Sequence, residues 1–138
     1  MLKIRVMGVR DLKSILAIWK KLPGIGLNES DTLPNLKNYL TRNPGLSLVA
    51  VDGKKVVGGV LCGHDGRRGY LNHLSVLPGY QHRGLGQAMA ERCYKKLKSL
   101  GIPYATIFVY RNNRSGLRFW VKTGWQVRHD LSTLRKKL

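Results

Sequence analysis

The spacing of apolar residues changes several times along the chain, and each change predicts a new element of secondary structure. Residues 2–6 alternate between apolar and polar positions, which is typical of a strand. A helix follows, with Asp11 in position to cap it. This first helix has apolar residues at a period of 3.6: Leu12, Ile15, Leu16, Trp19 and Leu22. A second, shorter helix is predicted from Thr32 to about Arg42, where residues 43–45 (Asn-Pro-Gly) end it.

The remaining pattern predicts strands placed around one long helix. Residues 47–51 and 55–62 predict a hairpin about the Asp52-Gly53 turn, and residues 70–77 predict a further strand. The long helix carries one apolar stripe: Leu85, Met89, Cys93, Leu97 and Leu100. The last predicted elements are a buried strand (104–110), a helix (115–123) and a final strand (126–134).

The most informative segment is the glycine-rich loop that opens this long helix, L-S-V-L-P-G-Y-Q-H-R-G-L-G at residues 74–86. Glycines at the mouth of a helix let the backbone approach a ligand closely, and the free N–H groups of the helix suit a phosphate. A P-loop is excluded because its Gly-Lys-Ser/Thr ending is absent. A Rossmann fingerprint is excluded because Met89 stands where its third glycine belongs. The segment therefore predicts a different pyrophosphate cradle; the alternative is an ordinary turn that caps a helix.

A strand, Gln-x-x-Gly-x-Gly and a helix in this order resemble motif A of the GNAT superfamily of N-acetyltransferases. Residues 113–125 are similar to the family's Asn-x-x-Ala-x-x-Leu-Tyr-x-x-x-Gly-Phe, and Asp-Gly-Arg-Arg-Gly at 65–69 resembles a bacterial subset of small acetyltransferases. The predicted order β-α-α-β-β-β-α-β-α-β is that of the whole GNAT fold. The resemblance implies an α/β (α+β) fold with a mixed, mostly antiparallel sheet flanked by helices, in one N-acetyltransferase domain over residues 1–138.

The same resemblance implies acetyl-coenzyme A as the cofactor. The backbone of Leu74, Ser75 and Val76 is then expected to pair with the pantetheine arm like an added strand, and one N–H there to serve as the oxyanion donor. Asn113 is the matching candidate for a further contact to the cofactor. The pyrophosphate is expected to be held by the loop and the first helical turn: His82, Arg83, Gly84, Leu85, Gly86 and Gln87.

The proton-transfer residues depart from the family pattern. Many members place a glutamate on the fourth or fifth strand as general base, where this chain has Asn72, His73 and Phe108. Many also use a tyrosine of the last helix as general acid, where this chain has Trp120. An indole N–H does not release its proton near neutral pH, so packing beside Trp125 is the favoured interpretation of Trp120.

His73 is the first candidate for the catalytic base, because a histidine is largely neutral at pH 7 and accepts a proton readily. A purely structural role is an equal alternative. Strict alternation along the strand places His73 on the face opposite Leu74 and Val76. Tyr70 is the second catalytic candidate, and Asp65 and Glu29 are weaker ones.

The chain is strongly basic. The chain has 25 Lys and Arg against seven Asp and Glu, for a formal net charge of +18. One molecule of coenzyme A does not require that excess, so an acidic partner is expected: RNA, a ribosomal surface or an acidic substrate. General solvation is the alternative, and aromatic residues are not interleaved with the basic ones as in stacking platforms.

The cysteines and the lengths of the apolar runs indicate the cellular compartment of the protein. Cys62 and Cys93 lie in apolar surroundings without metal-ligand spacing, which indicates buried free thiols in a reducing cytoplasm and no metal site. No apolar run is long enough to span a membrane, and no signal peptide is expected. A homodimer is left open.

The combined prediction is an N-acetyltransferase that acts by direct attack of an amine on acetyl-coenzyme A. At pH 7 a lysine side chain is neutral roughly once in 2,500 molecules, but an α-amine is neutral about 9–17% of the time. A site without an evident carboxylate base therefore favours a protein or peptide α-amine as acceptor, with a small amine or polyamine second. Glu29 and Asp31, in the loop between the first two helices, either bind a cationic acceptor or are simply exposed. The alternatives are a catalytically weak cofactor-binding module and a basic RNA- or ribosome-associated protein.

Overall fold

A computed structural model describes all 138 residues. They form two compact units, Met1–Phe108 and Val109–Leu138, and a single domain over 1–138 stays a prediction. No helix has the length and apolar character that a membrane span requires. In chain order the elements are β1 (Leu2–Val6), α1 (Leu12–Lys21), α2 (Leu33–Arg42), β2 (Leu48–Asp52), β3 (Lys55–His64), β4 (Gly69–Val76), α3 (Leu85–Ser99), β5 (Ala105–Thr106) and α4 (Arg114–Lys122).

The first unit is built on a five-stranded sheet whose strands lie in chain order, β1-β2-β3-β4-β5. The first three pairs are antiparallel, and β4 pairs with β5 in parallel. Helix α1 packs on β3 and β4, and α3 packs on β2, β3 and β4. The predicted mixed, mostly antiparallel sheet flanked by helices is therefore confirmed.

Two apolar layers stabilise this sheet, one on each face, because β2 and β3 are buried on both sides. Under α1 and α2, a cluster surrounds Trp19, whose side chain is fully buried. Under α3, Met89, Cys93 and Leu97 of the predicted stripe are buried, whereas Leu85 is half-buried and Leu100, beyond the end of the helix at Ser99, is 51% exposed. Cys62 and Cys93 are both free and buried, which confirms the prediction for the two thiols.

The bounds predicted for the last two strands of the chain were wrong. Strand β5 covers only Ala105–Thr106 instead of 104–110, and no strand forms over 126–134. Phe108, expected in a buried strand, is 61% exposed. Residues 107–110 have strand-like composition, but the pairing with β4 ends at Thr106, so they have no partner strand in the sheet. A strand depends on such a partner as much as on β-propensity.

Asp11 precedes α1 as predicted, but its carboxylate does not cap that helix. Instead it accepts two hydrogen bonds from the Arg5 guanidinium, at 2.8 and 2.9 Å, and one from the Gly8 N–H at 2.8 Å. The Asp11 side chain is 4% exposed. The hydrogen bonds from Arg5, and after them the one from Gly8, hold the pKa of Asp11 below its usual value against the opposing effect of burial. This carboxylate ties β1 to the start of α1.

Replacing this carboxylate is expected to weaken the first unit. Asp11→Ala should lower the free energy of unfolding at pH 7 by about 2–3 kcal/mol, because hydrogen bonds to a charged group are lost. Since the pKa is lower in the folded than in the unfolded state, the contribution is complete above about pH 4 and is lost as the pH falls further. Urea titrations of wild type and variant at pH 7 and pH 3 measure both effects.

The matched control is Asp130→Asn, which removes an ion pair with Arg128 that lies on the surface. Exposed pairs contribute little to stability, so the unfolding midpoint should not change. If Asp11→Ala behaves like this control at pH 7, the pair of Arg5 with the buried Asp11 carboxylate does not stabilise the fold.

Candidate active site

Part of one edge of β4 is not paired with another strand of the sheet. Strand β5 pairs with β4 only at Gly69–Ala105 and Tyr70–Thr106, and the Gly69 N–H donates to the Tyr104 carbonyl just before this pairing. From Leu71 onward, no strand of the sheet pairs with that edge of β4. An unpaired edge presents N–H and C=O groups to which an extended ligand can add as a further strand. Leu74, Ser75 and Val76 lie on this open segment of β4.

A β-bulge interrupts β4 at this opening. Gly59 of β3 lies opposite Ser75, but Leu61 lies opposite Asn72, so β4 has one extra residue between these pairs. His73, within the bulge, has a left-handed backbone with φ +56°. The bulge does not separate His73 from Ser75, because the side chains of both residues contact Trp19 of α1, as the predicted alternation from His73 to Val76 requires.

Glycine in β3 makes the close pairing beside the bulge sterically acceptable. A Cβ atom added at Gly58 would collide with the carbonyl oxygen of Ser75. The Ser75 hydroxyl is buried, donates to the Gly59 carbonyl at 3.2 Å and accepts from the Trp19 indole N–H at 3.0 Å. Helix α1, β3 and the bulged part of β4 are thus joined by hydrogen bonds at one buried point.

The His73 side chain is held by two neighbours from outside the sheet. Its Nε2 lies 2.9 Å from Oδ1 of Asp31, and the two side chains are 18% and 10% exposed. Its ring lies against the Trp19 ring, with centroids 4.8 Å apart. The other carboxylate oxygen of Asp31 accepts from the Asn28 N–H at 3.1 Å. A carboxylate at Nε2 favours the tautomer of an uncharged imidazole that carries its proton on Nε2, and in that tautomer Nδ1 presents a lone pair.

The loop before α3 has the backbone geometry of an anion site. His82 and Gly84 both have left-handed backbones, with φ +63° and +79°. The first hydrogen bond of the helix runs from the Ala88 N–H to the Gly84 carbonyl, so the N–H groups of 84–87 have no partner within the helix. Free N–H groups and the positive end of the helix dipole favour a phosphate here. The residues of this loop therefore fit the pyrophosphate of a nucleotide cofactor.

Two hydrogen bonds anchor this loop to the sheet, and Arg83 makes two contacts within the loop itself. The Gln81 side-chain amide donates to the Val76 carbonyl at 2.9 Å. The Arg83 guanidinium donates to the Gly79 carbonyl at 3.1 Å and lies over the Tyr80 ring, 5.3 Å from its centroid. The Tyr80 hydroxyl donates to Asp52 at 2.8 Å, and this hydrogen bond raises the pKa of Tyr80. The cradle and the open edge of β4 are therefore positioned together.

The other predicted site residues are placed apart from the His73–Asp31 pair. The Tyr70 ring is stacked on Phe108, with centroids 6.4 Å apart, and makes no hydrogen bond to His73. The Asp65 carboxylate accepts from the backbone N–H groups of its own turn, which lower its pKa. This use within a turn argues against Asp65 as a base.

Two predicted residues lie in the second unit. The Asn113 side-chain oxygen accepts from the Gly116 N–H at 3.0 Å and so caps α4. Its predicted contact with the cofactor stays a prediction. Trp120 is buried and packs edge-on against Trp125, with ring centroids 5.1 Å apart. Packing, the favoured interpretation of Trp120, is therefore confirmed.

Sequence reasoning missed the pairing of Asp31 with His73. The two residues are 42 positions apart, and the sequence predicts Asp31 only as an exposed residue or as a ligand of the acceptor. No spacing rule connects a loop between helices with the middle of a strand. The one signal in the sequence was a histidine, His73, within a strand.

An open sheet edge beside a helix N-terminus with free N–H groups defines a class of protein that binds an extended ligand with a phosphate at one end. Comparison with known proteins narrows this class. Residues 12–125 match the model of the acetyltransferase (GNAT) family. The chain is 30% identical to an acetyltransferase of Photorhabdus laumondii, over 99% of this chain and 94% of that protein.

Solved structures agree with this match. The crystal structure of the PaiA N-acetyltransferase of Thermoplasma acidophilum in complex with coenzyme A superposes with a TM-score of 0.80. The alignment covers 93% of this chain and 91% of that one, at 23% identity. The chain belongs to the acetyltransferase (GNAT) family, and it is an acetyl-coenzyme A-dependent acetyltransferase, as the resemblance implied.

Proposed function

We propose that this acetyltransferase acetylates the α-amine of a protein or peptide, with His73 as the proton acceptor. The observation that carries the proposal is the hydrogen bond between His73 Nε2 and Asp31, which leaves Nδ1 to take a proton. When bound, acetyl-coenzyme A supplies a thioester carbonyl that an amine can attack directly. Asp31 acts through His73 and is a positioning residue.

The cofactor-binding role is proposed for the backbone of two segments. The N–H groups of residues 82–87 bind the pyrophosphate, and the open edge of β4 at 74–76 orients the pantetheine arm. Asn113 is proposed as a further contact. These roles use mainly backbone atoms, so they tolerate variation of the side chains.

A free cysteine does not fit the role of acetyl carrier. Cys62 and Cys93 are 0% and 1% exposed. The hydrogen bond between the two cysteines, with burial second, raises the pKa of the Cys93 thiol. A thiol held in its neutral form is a poor nucleophile, so direct transfer to the amine is favoured. Two buried free thiols also agree with the cytoplasm as the proposed compartment.

The preference for an α-amine follows from the strength of the base. Both carboxylate oxygens of Asp31 are occupied, one by His73 and one by the Asn28 N–H. The site therefore relies on an imidazole, which is a weak base for a lysine ammonium. An α-amine is already neutral in about one molecule in ten at pH 7, so a weaker base is sufficient to deprotonate it.

A peptide assay tests the acceptor. We expect a peptide with a free α-amine and no lysine to react at least tenfold faster at pH 7.5 than its N-terminally blocked counterpart with one lysine, because far more α-amine is neutral. Release of the coenzyme A thiol measures the rate, and mass spectrometry locates the acetyl group. Spermidine is the small-amine comparison.

Each other outcome has a definite meaning. Faster reaction of the blocked lysine peptide or of spermidine contradicts the α-amine. Stoichiometric binding of acetyl-coenzyme A without turnover of any amine identifies a binding module. Light scattering of the purified protein separately measures whether it forms a homodimer.

A further inference from the structure

The first unit has an open groove where α1 and α2 begin. Its volume is about 490 Å³. One wall is formed by the residues that lead into α1 and by its first turn, and the other by the first turns of α2. None of these residues belongs to the cofactor loop, the open edge of β4 or the His73–Asp31 pair. The lining residues are Val9, Arg10, Leu12, Lys13, Leu33, Pro34 and Lys37.

Aliphatic side chains form the apolar part of this groove. Leu12 belongs to the core and is 2% exposed, whereas Val9 and Leu33 are 52% and 38% exposed. Covering exposed aliphatic surface with another aliphatic side chain is favourable. The lining contains no aromatic residue, so the groove offers no platform on which a nucleic-acid base could stack.

All charged residues of the groove are basic. Arg10, Lys13 and Lys37 line it, and none of them takes part in an ion pair of the structure. The two acids nearest in sequence are already engaged, since Asp11 pairs with Arg5 and Asp31 with His73. The groove therefore has a positive potential that nothing in its lining offsets.

We propose that this groove binds an acidic protein segment that carries aliphatic side chains. Carboxylates of the segment pair with Arg10, Lys13 and Lys37, and its leucine-like side chains cover Val9 and Leu33. RNA would satisfy the cations but would leave the aliphatic surface without a complementary group. The proposal accounts for part of the +18 charge and does not depend on which amine is acetylated.

Fluorescence anisotropy with a short labelled peptide tests this surface. The peptide is rich in glutamate, carries two leucines one helical turn apart, and has a blocked N-terminus so that it is not an acceptor. We expect saturable binding to the wild-type protein that weakens with salt. A peptide with glutamine in place of leucine, and one with lysine in place of glutamate, should each bind at least fivefold more weakly.

Variants of the protein locate the binding. Lys13→Glu with Lys37→Glu should weaken binding of the leucine peptide at least tenfold, because two attractions become repulsions. Leu33→Asn should weaken it about threefold through lost apolar contact. The matched control is Lys95→Glu with Lys98→Glu on the exposed face of α3, which changes net charge equally and should leave the affinity within twofold.

Three results would overturn the proposal. One is an equal loss in the control pair, which would show attraction to overall charge. Another is equal binding of the leucine and glutamine peptides, since the aliphatic surface would then have no part. The third is an RNA oligonucleotide that binds more tightly than the peptide, is displaced by it and loses affinity in the Lys13/Lys37 variant but not in Leu33→Asn. Acetyl-coenzyme A turnover in each variant keeps this test separate from that of the acceptor.

Discussion

His73→Asn should lower kcat for a peptide α-amine by roughly 10²–10³-fold, because a positioned general base contributes about 10²–10⁴-fold to a rate. Asparagine is chosen because it tolerates the left-handed backbone that His73 adopts at φ +56°. Its amide does not accept a proton near neutral pH. Steady-state thiol release gives kcat, and calorimetry should show unchanged affinity for acetyl-coenzyme A.

Variants of Asp31 test whether this residue orients the His73 ring. Asp31→Asn should lower kcat by about tenfold while the KM for acetyl-coenzyme A stays constant, since the carboxylate that fixes the Nε2–H tautomer of His73 is lost. Asp31→Glu should restore part of that loss. If Asp31 had only a structural role, Asp31→Asn would lower the unfolding midpoint and would not lower kcat at constant KM.

His129→Asn is the matched control, because His129 is exposed and lies in the second unit. It should leave kcat unchanged. If His73→Asn keeps more than half of the wild-type kcat, then His73 is not the base, and a proton path through water takes its place in the mechanism. Thermal unfolding of each variant shows that a loss of rate is not a loss of folded protein.

Gly84→Val should weaken binding of acetyl-coenzyme A by about 10–100-fold. The Gly84 backbone is left-handed, with φ +79° and ψ 6°, and a left-handed conformation costs an L-residue about 1–2 kcal/mol. No atom lies within 4 Å of a Cβ placed there, so the effect comes from the backbone and not from a collision. Relief of that strain turns the N–H groups of the loop away from the pyrophosphate. Calorimetric titration with acetyl-coenzyme A measures the change in Kd.

Two controls isolate the cradle. Gly101→Val introduces the same strain at φ +80°, also with nothing within 4 Å, but at the other end of α3. It should lower thermal stability to a similar extent and leave the Kd unchanged. S-acetyl-pantetheine, which lacks the pyrophosphate, should bind wild type and Gly84→Val equally. Unchanged affinity of Gly84→Val for acetyl-coenzyme A would place the pyrophosphate elsewhere.

Features that depend on neighbours along the chain were predictable. The bounds of α2 agree with its signals, since Thr32 accepts a hydrogen bond from the Asn35 N–H as N-cap, Pro34 lies in the first turn and the helix ends at Arg42. The cradle is equally local, because a strand, a glycine loop and a helix follow one another within residues 74–90. Hydrophobic periodicity and capping act over one or two turns, so the sequence alone carries them.

Features that depend on distant parts of the chain were decided by the tertiary structure. The end of β5 at Thr106 depends on where the chain stops pairing with the edge of β4, and the bulge at His73 depends on the register of β4 against β3. The pairing of His73 with Asp31 joins residues 42 positions apart, and the His73 ring also lies against Trp19 of α1. The sequence by itself therefore determined the glycine-rich cradle, a local backbone motif that is proposed to hold the acetyl donor. The surroundings of His73, the proposed base, were decided only where strands and helices meet, because side-chain contacts across the fold have no fixed spacing in sequence.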